Sequence, residues 1–133
     1  MNQITRHLPL LKTLAETADD HRSRHAAAII YRNRIIALGT NHFKTHPFQI
    51  KYRRRPGAIY LHAEVAAIKR AIWHLSEKEL KRSVLISVRI KYDNELTPRF
   101  GMSKPCEGCQ RAIAEFGIRH VYYTTENQEI ATL

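Results

Sequence analysis

Ala26-Ala27-Ala28-Ile29-Ile30-Tyr31-Arg32-Asn33-Arg34-Ile35-Ile36-Ala37-Leu38-Gly39 sets two apolar runs on either side of a short polar connector. Asparagine tolerates the positive φ that tight hairpins demand, so the stretch reads as an antiparallel hairpin. Both runs are apolar almost without interruption rather than alternating, which predicts strands covered on both faces.

Upstream of the hairpin, Ile4, Leu8, Leu11, Ala15 and Ala18 recur at helical spacing, and Pro9 marks where that helix can begin. Downstream, residues 40–61 read as a long irregular stretch with Pro47 and Pro56-Gly57 as breakers. It carries the densest basic cluster, Lys51-Tyr52-Arg53-Arg54-Arg55, and runs directly into His62. Loops this long are usually functional or disordered, and the position favours a substrate-facing role.

From residue 62 to 75, Val65, Ile68, Ile72 and Leu75 step by three and four, the pattern of a helix with one buried face. Residues 84–90, Val-Leu-Ile-Ser-Val-Arg-Ile, form a strong buried strand, and residues 91–104 a polar connection. A second helix starts near Cys106, buries Ala112, Ile113 and Phe116, and stops at Gly117, which suits a left-handed cap. The last clear strand is residues 118–124. Helix, hairpin, helix, strand, helix, strand implies a mixed sheet with helices on its faces. The expectation is one α/β domain over residues 1–133, a three-layer α/β/α sandwich of four to five strands.

The two helices open on chemistry. One starts His62-Ala63-Glu64; the other follows Pro105-Cys106-Glu107-Gly108-Cys109 and carries the chain's two cysteines. Cysteines three apart in one helical turn are neighbours, and a helix N-terminus favours thiolate over thiol. A C-x-x-C pair alone could be a redox pair or half a zinc ribbon, but no further cysteines exist for a ribbon. With His62, the two thiolates make three ligands to a tetrahedral zinc, and the fourth position stays open to water. Zinc brings the pKa of such a water to about 7. Glu64, two residues past the ligand, can face the same pocket and shuttle the proton. H-x-E with P-C-x-x-C is the signature of zinc deaminases of nucleobases.

The formal charge of +10 on 133 residues points to an anionic partner, a phosphorylated substrate or a nucleic acid. No apolar run reaches about 18 residues, and residues 1–20 mix Arg6, His7, Lys12 and Glu16 among their leucines. A cytoplasmic location without a membrane span is therefore expected. His42 and His46, like His21 and His25, are four apart and could hold a second metal, although Pro47 argues against a regular helix around His46.

The chain resembles the cytidine deaminase superfamily, and in particular deoxycytidylate (dCMP)-type zinc deaminases, including those of phages. The resemblance rests on residues 61–68, Leu-His-Ala-Glu-Val-Ala-Ala-Ile, on residues 103–110, Ser-Lys-Pro-Cys-Glu-Gly-Cys-Gln, and on residues 116–123, Phe-Gly-Ile-Arg-His-Val-Tyr-Tyr. It implies zinc on His62, Cys106 and Cys109, and Glu64 as the catalytic proton shuttle. It also implies that Asn41 in Gly39-Thr40-Asn41 contacts the substrate sugar, and that Ala63 and the backbone around Pro105 border the base. Homo-oligomers are common in the family.

Two departures stand out. Residues 91–104, with Lys91, Arg99 and Lys104, intervene where the family runs almost directly into its cysteine helix, and are a candidate flap near the pocket. Too few residues follow Thr124 for the crossover that a parallel fifth strand needs, so a strand within residues 128–133 should return antiparallel.

The leading expectation is hydrolytic deamination of cytosine in a free nucleotide such as dCMP, with Arg53, Arg54 and Arg55 binding phosphate. The alternative is deamination of cytosine or adenine within single-stranded DNA or RNA, the basic loop tracking the backbone and Tyr52, Tyr60 or Phe48 stacking on bases. A third reading is a zinc-bearing nucleotide-binding protein without turnover, against which an intact Glu64 argues.

Overall fold

The computed structural model describes residues 4–18, 23–42, 47–52, 61–92 and 97–133. The hairpin forms as its sequence predicts: β1 (Arg24–Tyr31) and β2 (Arg34–Thr40) pair antiparallel. Arg32 and Asn33 take φ of 51° and 64°, both left-handed, as a two-residue hairpin turn matched to the strand twist requires. The register slips between Ile29 and Ile30, which leaves Ile36 as an unpaired bulge residue. Coverage of both faces holds for β1, whereas β2 is an edge strand with Arg34 exposed and Ile35 and Ile36 only half-buried.

The sheet is organised around β3 (Val84–Tyr92). One edge pairs antiparallel with β1 along residues 84–90. The other edge changes partner partway. Val84 to Ser87 pair in parallel with β5 (His120–Thr124), and Arg89 to Tyr92 pair antiparallel with β4 (Pro98–Gly101). Strand β4 lies inside the segment expected to be a polar connection, and raises the sheet among the described residues to six strands, one more than expected. The last, β6 (Ile130–Thr132), returns antiparallel on β5, as the short link after Thr124 requires.

Where β4 and β5 meet on β3, no side chain can be left unpaired without cost, because the junction is buried. The Thr124 hydroxyl donates to Gly101 O at 2.8 Å and accepts from the Arg89 N–H at 3.1 Å. Ser103 Oγ donates to Ser87 O at 2.7 Å and accepts from the Thr124 N–H at 2.8 Å. Those two residues join the strand ends to the chain entering the cysteine segment.

Alternation along β1 and β3 divides the core. Ala26, Ala28, Ile30, Ile86, Val88 and Ile90 face α1 (Leu8–Ala15), whose Leu11 and Ala15 are fully buried. Ala27, Ile29 and Leu85 face the other layer, α3 (Ala63–Ala71) and α5 (Glu107–Glu115). The three-layer sandwich expected from element order is thus present. Regular helix in α3 ends at Ala71, short of residue 75, and leaves Trp73 exposed.

Two short helices lie outside the periodic reading. In α4 (Glu77–Lys81) Ser76 and Glu79 form a reciprocal capping box. In α2 (Pro47–Tyr52) the proline expected as a breaker is the first helical residue, where its missing N–H is harmless. Helix α5 ends at Gly117 with φ of +79°, the left-handed cap its sequence anticipates.

Candidate active site

Helices α3 and α5 present their N-termini to the same point. His62 is the N-cap of α3 and Cys106 the N-cap of α5, both in extended backbone conformation, and neither side chain caps its own helix. Cys109 sits one turn into α5 and is fully buried, while Cys106 is exposed. His62 Nδ1 lies 3.3 Å from Cys109 Sγ and 3.5 Å from Cys106 Sγ. All three ligand atoms fall within 4.8 Å of one another. Tetrahedral zinc with bonds of about 2.0–2.1 Å to nitrogen and 2.3 Å to sulfur needs N···S edges of about 3.6 Å. The donor set and spacing of these three residues fit that ion. Among the described residues this is the sole such group. His42 hydrogen-bonds Thr40 and His25 hydrogen-bonds Ser23, while His21 and His46 lie outside the described residues.

Electrostatics divide the two sulfurs. The Cys109 thiol donating to Cys106, with His62 also favouring the anion, holds Cys106 down at about 3. The same hydrogen bond, together with burial, pushes Cys109 up. The hydrogen bond to Cys106 likewise raises His62.

Glu64 is only 5% exposed, on the second residue of α3. Burial pushes its carboxyl up, and His62 pulls it partly back. A carboxyl raised toward neutrality can both accept and release a proton, the requirement for general acid–base work. Ala63 is fully buried against the sheet, and Pro105 is buried with its carbonyl accepting from Gln110 Nε2 at 2.8 Å.

Asn41 is engaged locally. Its Nδ2 donates to Ser23 O at 2.7 Å and its Oδ1 accepts from the His25 N–H at 2.9 Å, tying the end of β2 to the start of β1. Arg53, Arg54, Arg55 and Tyr60 lie outside the described residues, as does the Phe48 side chain. Tyr52, expected as a possible base-stacking residue, is 4% exposed and packs with Leu61, Val65, Ala66, Cys109 and Ala112. It is a core residue, which removes it as a stacking platform.

The sequence reading passes over Gln49. Its Oε1 accepts from the His62 N–H at 3.1 Å and its Nε2 faces Cys109 Sγ at 3.9 Å. A lone glutamine in a short helix carries no periodic or motif signal, and only the fold reveals its place.

Residues 1–125 match the family model described as the cytidine and deoxycytidylate deaminase zinc-binding region. Among solved structures, the dCMP deaminase of cyanophage S-TIM5 in complex with dCMP and dUMP is similar, with TM-score 0.60 and 19% identity, over 91% of this chain and 79% of that one. The cytidine deaminase of Burkholderia pseudomallei gives TM-score 0.65 at 14% identity, over 97% and 90%. Acinetobacter baumannii RibD gives 0.53 at 16% identity, over 92% of this chain and 28% of that one. At these identities the likeness is one of fold. No curated protein sequence matches the chain.

Proposed function

The chain belongs to the cytidine and deoxycytidylate deaminase zinc-binding family and is a hydrolytic deaminase; on that premise we propose that it removes the amine of cytosine in a free nucleotide such as dCMP. The observation that carries the reaction is a buried Glu64 two residues past His62, beside the convergence of His62, Cys106 and Cys109. Zinc, when bound there, supplies the Lewis acidity that makes a water nucleophilic near neutral pH.

Glu64 takes a proton from the attacking water and delivers it to the ring nitrogen, and a second proton passes to the leaving amine. Water thus adds at the amine-bearing carbon, the C–N bond breaks, and ammonia departs. Raised by burial, the Glu64 carboxyl suits both halves of that transfer. Ala63 and Pro105 border the base in this proposal. Asn41 contacts the sugar with the second hydrogen of an amide already fixed by Ser23.

Support for a nucleotide comes from the cyanophage fold relative, whose structure holds dCMP and dUMP, and from the charge of +10. Arg53, Arg54 and Arg55, a few residues before the His62 helix in sequence, are the proposed phosphate contacts. No helix of the described residues is long and apolar enough to cross a membrane.

Incubating the zinc-loaded protein with dCMP, CMP, deoxycytidine, cytidine and single-stranded oligonucleotides, and measuring ammonia, tests the proposal. Release chiefly from dCMP or CMP is expected. Release only from oligonucleotides would move the substrate to nucleic acid, and ammonia from none would overturn the reading.

A further inference from the structure

Gln49 is fully buried, yet both ends of its side chain meet the residues that hold the metal. Its Oε1 accepts from the main-chain N–H of His62 at 3.1 Å, and its Nε2 points to Cys109 Sγ at 3.9 Å. The orientation of the amide follows from chemistry. A backbone N–H can only donate, so the oxygen must face His62 and the nitrogen is left for the sulfur.

The helix that carries Gln49 is clamped to α5. Arg111 donates to Tyr52 O at 3.3 Å, and Lys51 pairs with Glu115 at 3.3 Å. Tyr52 itself is buried against Cys109 and Ala112. Gln49 is therefore held on a fixed base rather than a free arm.

We propose that Gln49 is a positioning residue of the zinc centre, orienting the His62 main chain with its oxygen and hydrogen-bonding the Cys109 thiolate with its nitrogen. The inference rests on zinc being held by His62, Cys106 and Cys109 and is independent of the substrate. With zinc bound, Cys109 would have released its proton to solvent, and its sulfur would be an anion with no exposure to water. A buried anion needs donors, and a neutral amide supplies one without adding charge to the site. Hydrogen bonds to a ligating sulfur also temper its electron donation, which preserves the acidity of the metal. His62, as an N-cap, leaves its ring direction to its own backbone angles, which the Gln49 oxygen pins.

Two volume-matched variants test the assignment on substrate-free protein. Gln49→Met removes both hydrogen bonds. Gln49→Glu keeps the acceptor for His62 but sets a carboxylate oxygen against the Cys109 thiolate. Zinc affinity is read by competition with a chromophoric chelator. The cobalt-substituted protein reports the sulfur-to-metal charge-transfer band, which a merely packing role would leave unmoved.

The expected result is zinc binding weaker by about 10–100-fold, the range for residues that orient metal ligands, with a displaced band in each variant. A folded Gln49→Met or Gln49→Glu protein, judged by circular dichroism, with unchanged affinity and an unchanged band would overturn the proposal. Should one variant fail to fold, the other decides.

Discussion

A Cβ added to Gly39 on β2 would stand 2.6 Å from the Ala63 carbonyl oxygen, 2.6 Å from the Ala67 nitrogen and 2.8 Å from Ala66 Cβ. Helix α3 lies on the hairpin as closely as backbones allow, and most of its neighbours there are backbone atoms that cannot rotate away. Gly39→Ala should therefore lift the start of α3, and His62 with it. Overpacking of this kind costs about 1–3 kcal/mol, and here the upper part of that range is expected. Chemical denaturation and zinc content measured together check it; unchanged values for both would contradict the close contact.

Glu64 and Cys109 should separate chemistry from metal. Glu64→Ala removes the proton carrier but no ligand, so turnover should fall by at least about a hundredfold while zinc stays bound. Cys109→Ala should lose the metal, and with it the stability that metal binding contributes to folding. Metal analysis beside ammonia release distinguishes the two. Near-normal activity in Glu64→Ala would refute the role given to it.

Thr124 offers a test of the sheet junction away from the metal. Its hydroxyl donates to Gly101 O and accepts from the Arg89 N–H, and it is fully buried. Thr124→Val keeps the shape and strands those partners, with an expected loss of about 1–3 kcal/mol in unfolding free energy. A midpoint equal to wild type would show that the β4 junction is held by other contacts.

Replacing Arg53, Arg54 and Arg55 together by Gln should raise KM for dCMP at least about tenfold and leave KM for deoxycytidine nearly as it was, since charge-assisted contacts to phosphate are absent from the nucleoside. Steady-state kinetics on the two substrates provide the comparison. An equal effect on both would remove these arginines from phosphate binding.

Much of this architecture can be read before folding because local rules and tertiary demands coincide. Asn33 announces a left-handed turn, Gly117 a left-handed cap, and His62 and Cys106 each stand just ahead of an apolar stripe at helical spacing. The clustering of His62, Cys106 and Cys109 is legible for the same reason, each being tied to a helix start. Strand β4 is not, because Pro98-Arg99-Phe100-Gly101 is short, has a proline and a glycine at its ends, and pairs only with the top of β3. Helix α2 hides behind Pro47, whose helix-breaking reputation does not apply at the first helical residue. Gln49 was invisible because its partners are distant in sequence, and Tyr52 looked like a nucleobase platform because only packing tells a buried tyrosine from an exposed one.

Both helices that build the site have His62 or Cys106, the proposed metal ligands, at the N-cap, and neither side chain caps its own helix. An ordinary cap contributes about 1 kcal/mol to its helix. An ion held by His62, Cys106 and Cys109 would instead tie the two helix starts to each other, and one of them lies directly against the hairpin through Gly39. With zinc as that tie, losing the metal would uncouple the two helix starts, and metal supply would bear on the stability of the fold as well as on the reaction.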